Sequence, residues 1–353
     1  MKLTRRDFIK SITLAAGGTF LGTRALGAGS RRNAVKSSTP GYEKMKKKGD
    51  LSGRIEEAWA KLENCDLCPH KCGVNRLRGQ TGFCRAGAEA VVHSSSPHFG
   101  EELPLVGRNG SGTIFFSHCN LRCVFCQNWP IAHEGRGRRV SNDELADLML
   151  SLQRRGCHNI NLVTPTHMMP FILKAVNIAH GKGLHLPLCY NTGGYETEEC
   201  IELLDGIVDI YLPDIKFMDG EYADKYVFTG ARDYPERARK AVILMHRQVG
   251  DLQTDSAGIA LRGLMLRHLV MPNRVAGTRE FVKWVAENLS EETYVNIMSQ
   301  YRVEHRAFEY DKIARAITAE EFEEAIRWAR EAGLKNLDAR SESRLERFRR
   351  MLR

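Results

Sequence analysis

From Thr113 onward, short β-branched or apolar runs alternate with longer amphipathic stretches. The runs at 113–116, 159–163, 186–190, 206–211, 263–270 and 294–298 have strand length and composition. Two helix starts are written explicitly between and after them. Ser141-Asn142-Asp143-Glu144 ahead of Leu145 and Thr318-Ala319-Glu320-Glu321 ahead of Phe322 both read as capping boxes. Helix-length segments between strands imply parallel crossovers, so the pattern predicts an α/β barrel rather than a sandwich. Six strand candidates fall short of a full eight-stranded barrel, which makes the expectation a partial one. No internal repeat and no low-complexity segment interrupts it.

The chain has 353 residues and a net charge of +9. Residues 1–50 carry 12 Lys/Arg against 3 Asp/Glu, the whole of that excess. The rest is neutral overall, so no basic face is implied and nucleic acid is excluded as the expected partner. The Arg-rich end (Arg344, Arg347, Arg349, Arg350, Arg353) reads as a solvated helix face. No run reaches the ~18 apolar residues of a membrane span, so no transmembrane segment is expected. Arg5 and Arg6 precede a diluted apolar stretch at 11–22, with a small-residue cleavage site near 25–28. This pattern resembles a twin-arginine signal and predicts export to the periplasm. The alternative is a plain basic arm on a cytoplasmic protein. Twin-arginine export carries folded proteins, so a metal cofactor would be loaded before transport. The domain expectation is therefore a signal peptide at 1–28, a linker and short helix at 29–60, a four-cysteine segment at 61–100 and a catalytic core at 101–353.

Ten cysteines in an exported protein would ordinarily suggest disulfides. Their spacing points to metals instead. Seven fall into two tight groups, leaving Cys157, Cys189 and Cys200 among apolar neighbours as buried free thiols. The decisive group is Cys119, Cys123 and Cys126, spaced x3 and x2 in one loop after the first predicted barrel strand. Thiolates are the normal ligands of an iron–sulfur cubane, which has four irons to satisfy. Three protein ligands leave one iron open, as catalytic metal sites require. An open iron can chelate the amino and carboxylate groups of S-adenosylmethionine (SAM), and one electron then cleaves a C–S bond to release a 5′-deoxyadenosyl radical. Zinc is the competing ligand for such thiols, but its ligands usually arrive as two pairs from two elements.

The x3, x2 spacing is that of the radical SAM superfamily. From about Cys65 onward the chain resembles the PflX branch of pyruvate formate-lyase activating-enzyme-like proteins. The resemblance is carried by the stretches 65–76, 119–128, 163–167, 190–195, 209–216 and 267–272. It implies a partial (β/α)6 radical SAM barrel with a [4Fe-4S] cluster on Cys119, Cys123 and Cys126, and SAM across the strand ends. Residue by residue it implies that Phe125 lies near the adenine. Asn191, Thr192 and Gly193 would meet the ribose and methionine portions. Asp214 and Lys216 would pair with the SAM ammonium and carboxylate, or form a plain ion pair with each other. Arg267 would reach the carboxylate or a ribose hydroxyl, or serve as a packing residue at the barrel rim. His167 and His268 are expected to be hydrogen-bonded structural histidines. The Gly-Gly-Glu sequence that such proteins carry after the second strand is absent; Thr164-Pro165-Thr166 stands there, so the Thr164 and Thr166 hydroxyls are the expected substitutes toward the SAM amino group.

Cys65, Cys68, Cys72 and Cys84, spaced x2, x3 and x11 among turn glycines, form a closed set expected to be structural or electron-transferring. Zinc, an auxiliary iron–sulfur cluster and a pair of disulfides all remain open for it, with His70 supporting the ligands rather than joining them. The expected function is radical hydrogen abstraction, fed by a low-potential donor such as a flavodoxin or ferredoxin and directed at a glycine of a partner protein or at another substrate. The alternative is a non-catalytic iron–sulfur or zinc protein that carries electrons or scaffolds a complex.

Overall fold

The computed structural model describes residues 39–341. In chain order the elements are α1 (Gly41–Lys48), α2 (Leu51–Ala60), β1 (Ala90–His98), α3 (Leu103–Val106), β2 (Ser111–Phe116) and α4 (Trp129–Ala132). Next come β3 (Arg138–Val140), α5 (Asn142–Arg154), β4 (Ile160–Val163), α6 (Met169–Gly181), β5 (Leu188–Thr192), α7 (Glu198–Leu203) and β6 (Ile210–Pro213). The remainder are α8 (Gly220–Tyr226), α9 (Tyr234–Val249), β7 (Gln253–Thr254), β8 (Ala260–Leu269), α10 (Thr278–Asn288), β9 (Tyr294–Met298) and α11 (Ala319–Glu331).

All six predicted strand regions become strands, and they pair parallel in the order β2-β4-β5-β6-β8-β9. Strands β5 and β6 are buried along their whole length, as expected of parallel strands covered on both faces. Both capping boxes form, with Ser141 and Thr318 each accepting from the backbone three residues on. The architecture is thus an α/β domain whose sheet is partial. Among the described residues no pairing joins β9 back to β2.

Three strands were not foreseen. β1 runs antiparallel to β2, β3 antiparallel to β1, and β7 antiparallel to β8. In β1, Ser94-Ser95-Ser96-Pro97-His98 carries no apolar alternation. Its place in the sheet comes from pairing with the hydrophobic β2, so the sheet begins inside the segment expected to be metal-binding alone. Residues 41–60, expected as linker and one short helix, form two helices packed on α6. Trp59 meets Phe171 edge-on at 5.4 Å, and the Tyr42 hydroxyl donates to Leu186 O at 2.9 Å. The expected signal peptide and the arginine-rich end lie outside the described residues. No described helix is long and apolar enough to cross a membrane.

Asp209, at the start of β6, fastens α1 to the sheet. Its buried carboxylate accepts from Gly41 N (2.8 Å) and Leu188 N (3.0 Å). Asp209→Ala strands both amides in the interior, at roughly 1–2 kcal/mol each. Urea unfolding should therefore show a loss of about 2–4 kcal/mol, with protease sensitivity appearing at 41–60. An unchanged midpoint would show that the latch holds nothing.

Candidate active site

A cavity of about 430 Å³ opens at the C-terminal ends of the parallel strands, where open α/β sheets bind ligands. Every strand of the parallel set contributes to its wall: Phe115 from β2, Val163 from β4, Asn191 and Thr192 from β5, Asp214 after β6, Arg267 from β8, and Asn296 and Met298 from β9. Cys119, Cys123 and Cys126 share this wall with Phe125, Thr164, Gly193 and Lys216.

The cysteine loop is pinned from all sides. His118 N–H donates to Ile131 O (3.0 Å), Val124 N–H to Tyr226 O (2.9 Å) and Asn120 Nδ2 to Tyr195 O (2.6 Å). Leu121 N–H points at the Cys119 sulfur at 3.3 Å. His118 sits at φ 69, a strained conformation for a non-glycine residue, of the kind found at functional sites. Gly193 lets the end of β5 approach this loop, because a Cβ there would lie 2.7 Å from Leu121 Cδ1.

Burial pushes the Cys119 thiol up to about 12 and raises Cys123 and Cys126 as well, while the Lys216 ammonium acts against that rise at all three. Lys216 Nζ lies 2.7 Å from Asp214 Oδ2. This pair is made between the two residues themselves, with both still facing the cavity. Tyr234, from α9, braces it. The Tyr234 hydroxyl accepts from Lys216 N (3.0 Å) and donates to Gly193 O (2.9 Å). Phe125 is buried against Phe217 and Tyr301.

One expectation needs correction. Thr166 does not line the cavity; its hydroxyl donates to Glu196 at 2.6 Å, and the Thr192 hydroxyl donates to the same carboxylate. Thr164 does face the cavity, at φ 60, with its N–H on Asn191 O at 2.9 Å. Arg267 also faces it, but its guanidinium is already engaged. It pairs with Glu101 and, at 2.6 Å, with Glu102, and it lies 3.4 Å from Asn191 Oδ1. Asn296 Nδ2 donates to Glu102 at 2.6 Å, and Arg340 Nη1 to Gly100 O at 2.7 Å. Side chains from β8, β9 and the far end of the described chain thus converge on residues 100–102, just before β2. They hold together the edges that no strand pairing joins. Glu101, Glu102, Glu196, Tyr234, Asn296 and Arg340 had no signal in the hydrophobic pattern; only the adjacency of two acids at 101–102 was visible.

His167 Nε2 donates to Ser117 O at 2.8 Å, and His268 Nδ1 to Ile215 O at 2.7 Å. Burial lowers them to about 3 and about 4, so both are neutral structural groups. All ten cysteines are free, and Cys157, Cys189 and Cys200 are buried. Among the described residues no group of three or more His, Cys, Asp or Glu side chains converges as a single metal ion would require. A cubane places each thiolate on a different iron and so asks for a wider spread. Three thiols on one cavity wall, with a lysine and a backbone amide directed at them, fit that kind of group.

Residues 113–253 match the Radical SAM superfamily. The chain is 33% identical over 294 residues to the uncharacterized protein MJ0674 of Methanocaldococcus jannaschii, covering 80% of this chain and 79% of that one. The chain belongs to the radical SAM superfamily. Among solved structures it is similar to the radical SAM methyltransferase TsrM from Kitasatospora setae (TM-score 0.40, 19% identity, 54% of this chain). The match spans 36% of TsrM's length. It is also similar to methylornithine synthase PylB (TM-score 0.41, 14% identity, 64% of this chain and 69% of that one).

Burial pushes Glu196 up to about 7, against the pull of its hydroxyl partners. A carboxyl raised in the folded state binds its proton more tightly there than in the unfolded chain. Its contribution is therefore complete below the ordinary range and lost as pH rises through about 7. Glu196→Gln keeps an acceptor but cannot titrate. Between about pH 8 and pH 5 the wild type should gain about 2–3 kcal/mol over this variant, read from paired denaturant curves. Parallel curves would place the carboxyl at its normal value.

Proposed function

We propose that this chain is a radical SAM enzyme of the PflX type, with Cys119, Cys123 and Cys126 as the ligands of its catalytic cluster. The observation that carries this reading is the sharing of one cavity wall by these three cysteines, the Asp214–Lys216 pair and the β5 end at 191–193. Cys119, Cys123 and Cys126 would hold a [4Fe-4S] cluster, and that group would supply one-electron reductive cleavage of SAM for hydrogen abstraction. The chain's own residues bind and orient. Lys216 offers an ammonium to a carboxylate, and Asp214 offers a carboxylate to an ammonium, each already held in place by the other. Phe125 offers an aromatic face for the adenine. Thr164, Asn191 and Gly193 present hydroxyl, amide and bare backbone along the strand ends, with Thr192 lining the wall between them. Glu101 and Glu102, fixed by Arg267, put two carboxylates on the same cavity wall. Leu121, Phe125, Leu269 and Met271 keep water from that wall. An electron carrier has no use for such a cavity beside its cluster, which supports the enzyme over a non-catalytic carrier.

The substrate reading that follows the PflX resemblance is a glycine of a partner protein, with a reduced flavodoxin or ferredoxin as donor. Anaerobically reconstituted, dithionite-reduced protein should convert SAM to 5′-deoxyadenosine and methionine. Cys123→Ala should abolish that conversion, a loss of at least about a hundredfold, assayed by chromatography of the nucleoside. Cleavage that survives the substitution would remove the open-iron assignment. Export by the twin-arginine route is tested separately. Conservative exchange of both arginines (R5K/R6K) should retain the protein in the cytoplasm on fractionation, and unchanged localisation would end that reading.

A further inference from the structure

We propose that Cys65, Cys68, Cys72 and Cys84 hold an iron–sulfur cluster that relays electrons to the Cys119 loop, a role that presupposes the radical SAM reading of that loop. The four thiols occupy one small fold. Cys65 N–H donates to Val74 O and Gly73 N–H donates back to Cys65 O, both at 3.0 Å. Lys71 N–H donates to Cys68 O at 2.9 Å, closing the turn between Cys68 and Cys72. Lys71 and Arg85 adopt φ 39 and φ 62, left-handed turns that non-glycine residues take up only when the surroundings enforce them. Phe83 N–H points at the Cys72 sulfur at 3.4 Å, and a Cβ on Gly82 would come within 2.6 Å of that sulfur. Space and a donor are therefore kept for the sulfur on both sides.

Arg76 supplies the second, independent observation. It is 1% exposed. Its Nε donates to Gly87 O (3.0 Å) and its Nη1 to His167 O (2.7 Å), while Nη2 is buried with no hydrogen-bond partner. Two neutral carbonyls do not balance a buried guanidinium, and an uncompensated buried charge is costly. Its partner Gly87 lies three residues beyond Cys84. Four thiolates around a metal centre carry the net negative charge that this arginine lacks; two disulfides would leave it unbalanced.

The position of the four-cysteine fold favours electron transfer over a simple staple. It is clamped directly to the catalytic loop from both ends. His70 Nε2 donates to Asn120 O at 2.9 Å, and Arg122 Nη2 donates to Phe83 O at 3.1 Å. His70 stacks on Phe83 at 3.8 Å between the two. On its other side the fold meets solvent, with Cys72 half-buried and Lys71, Arg78 and Arg85 exposed, a basic rim suited to an acidic one-electron donor protein. In each transfer the donor is oxidised by one electron, the relay cluster is reduced and then reoxidised, and the Cys119 site gains that electron. No bond or proton changes hands in the relay.

The test uses the full chain, reconstituted anaerobically with iron and sulfide. The variant C119A/C123A/C126A should keep about half of the wild-type iron and sulfide, show an EPR signal on reduction, and contain no zinc. Zinc at the remaining cysteines, or the absence of iron there, overturns the proposal. That result is independent of SAM cleavage by dithionite-reduced wild type, which tests the enzyme reading alone. Cysteine variants at 65–84 can unfold, so the relay is probed by Arg122→Gln, which releases the clamp. Its rate of reduction by reduced flavodoxin, relative to that by dithionite, should fall about tenfold, and an unchanged ratio would refute the relay.

Discussion

Buried charge has to be neutralised where it is buried, and much of this molecule is arranged around that constraint. The mouth of the sheet gathers three thiols, Asp214, Lys216, Arg267, Glu101 and Glu102 around one cavity. Removing one partner from such a set costs far more than an exposed ion pair contributes. The charged side chains are therefore paired. The Lys216 ammonium is held by Asp214, while the Tyr234 hydroxyl fixes the Lys216 backbone, and Arg267 is held by the two glutamates that precede α3. The result is a rigid polar rim in which donor positions are set before any ligand arrives, the condition under which electrostatic groups act most strongly in catalysis.

The same network solves a mechanical problem. A six-stranded parallel sheet that does not close leaves a gap between its first and last strands. Here the gap is bridged by Arg267, Asn296 and Arg340, all directed at residues 100–102. Side chains rather than strand pairing thus span that side of the cavity.

The fold was legible because parallel strands are hydrophobic along their length and helices announce their ends. All six strand regions and both capping boxes could be read from local pattern alone. β1, β3 and β7 could not. A strand such as β1, with Ser94-Ser95-Ser96 at its centre, is a strand only because β2 offers it backbone partners. The cysteine triplet was legible because metal ligation fixes residue type and spacing within one loop. Thr166 was misjudged, and the alternatives for Arg267 stayed open, for a common reason: sequence shows which residues carry polar groups, but not which of those groups are already taken.

The sequence by itself determined the six parallel strands, two helix starts, the loop that carries three thiols and the set of four that precedes it. These depend on contacts within a few residues or on the identity of the ligating atom. Only the tertiary structure decided that Glu196 occupies the Thr166 and Thr192 hydroxyls, that Glu101 and Glu102 saturate Arg267, and that Arg76 is buried without a counter-charge beside Cys84. Those outcomes join residues up to 166 positions apart. Whether a buried polar group is satisfied depends on every element packed around it, and local pattern carries no record of that.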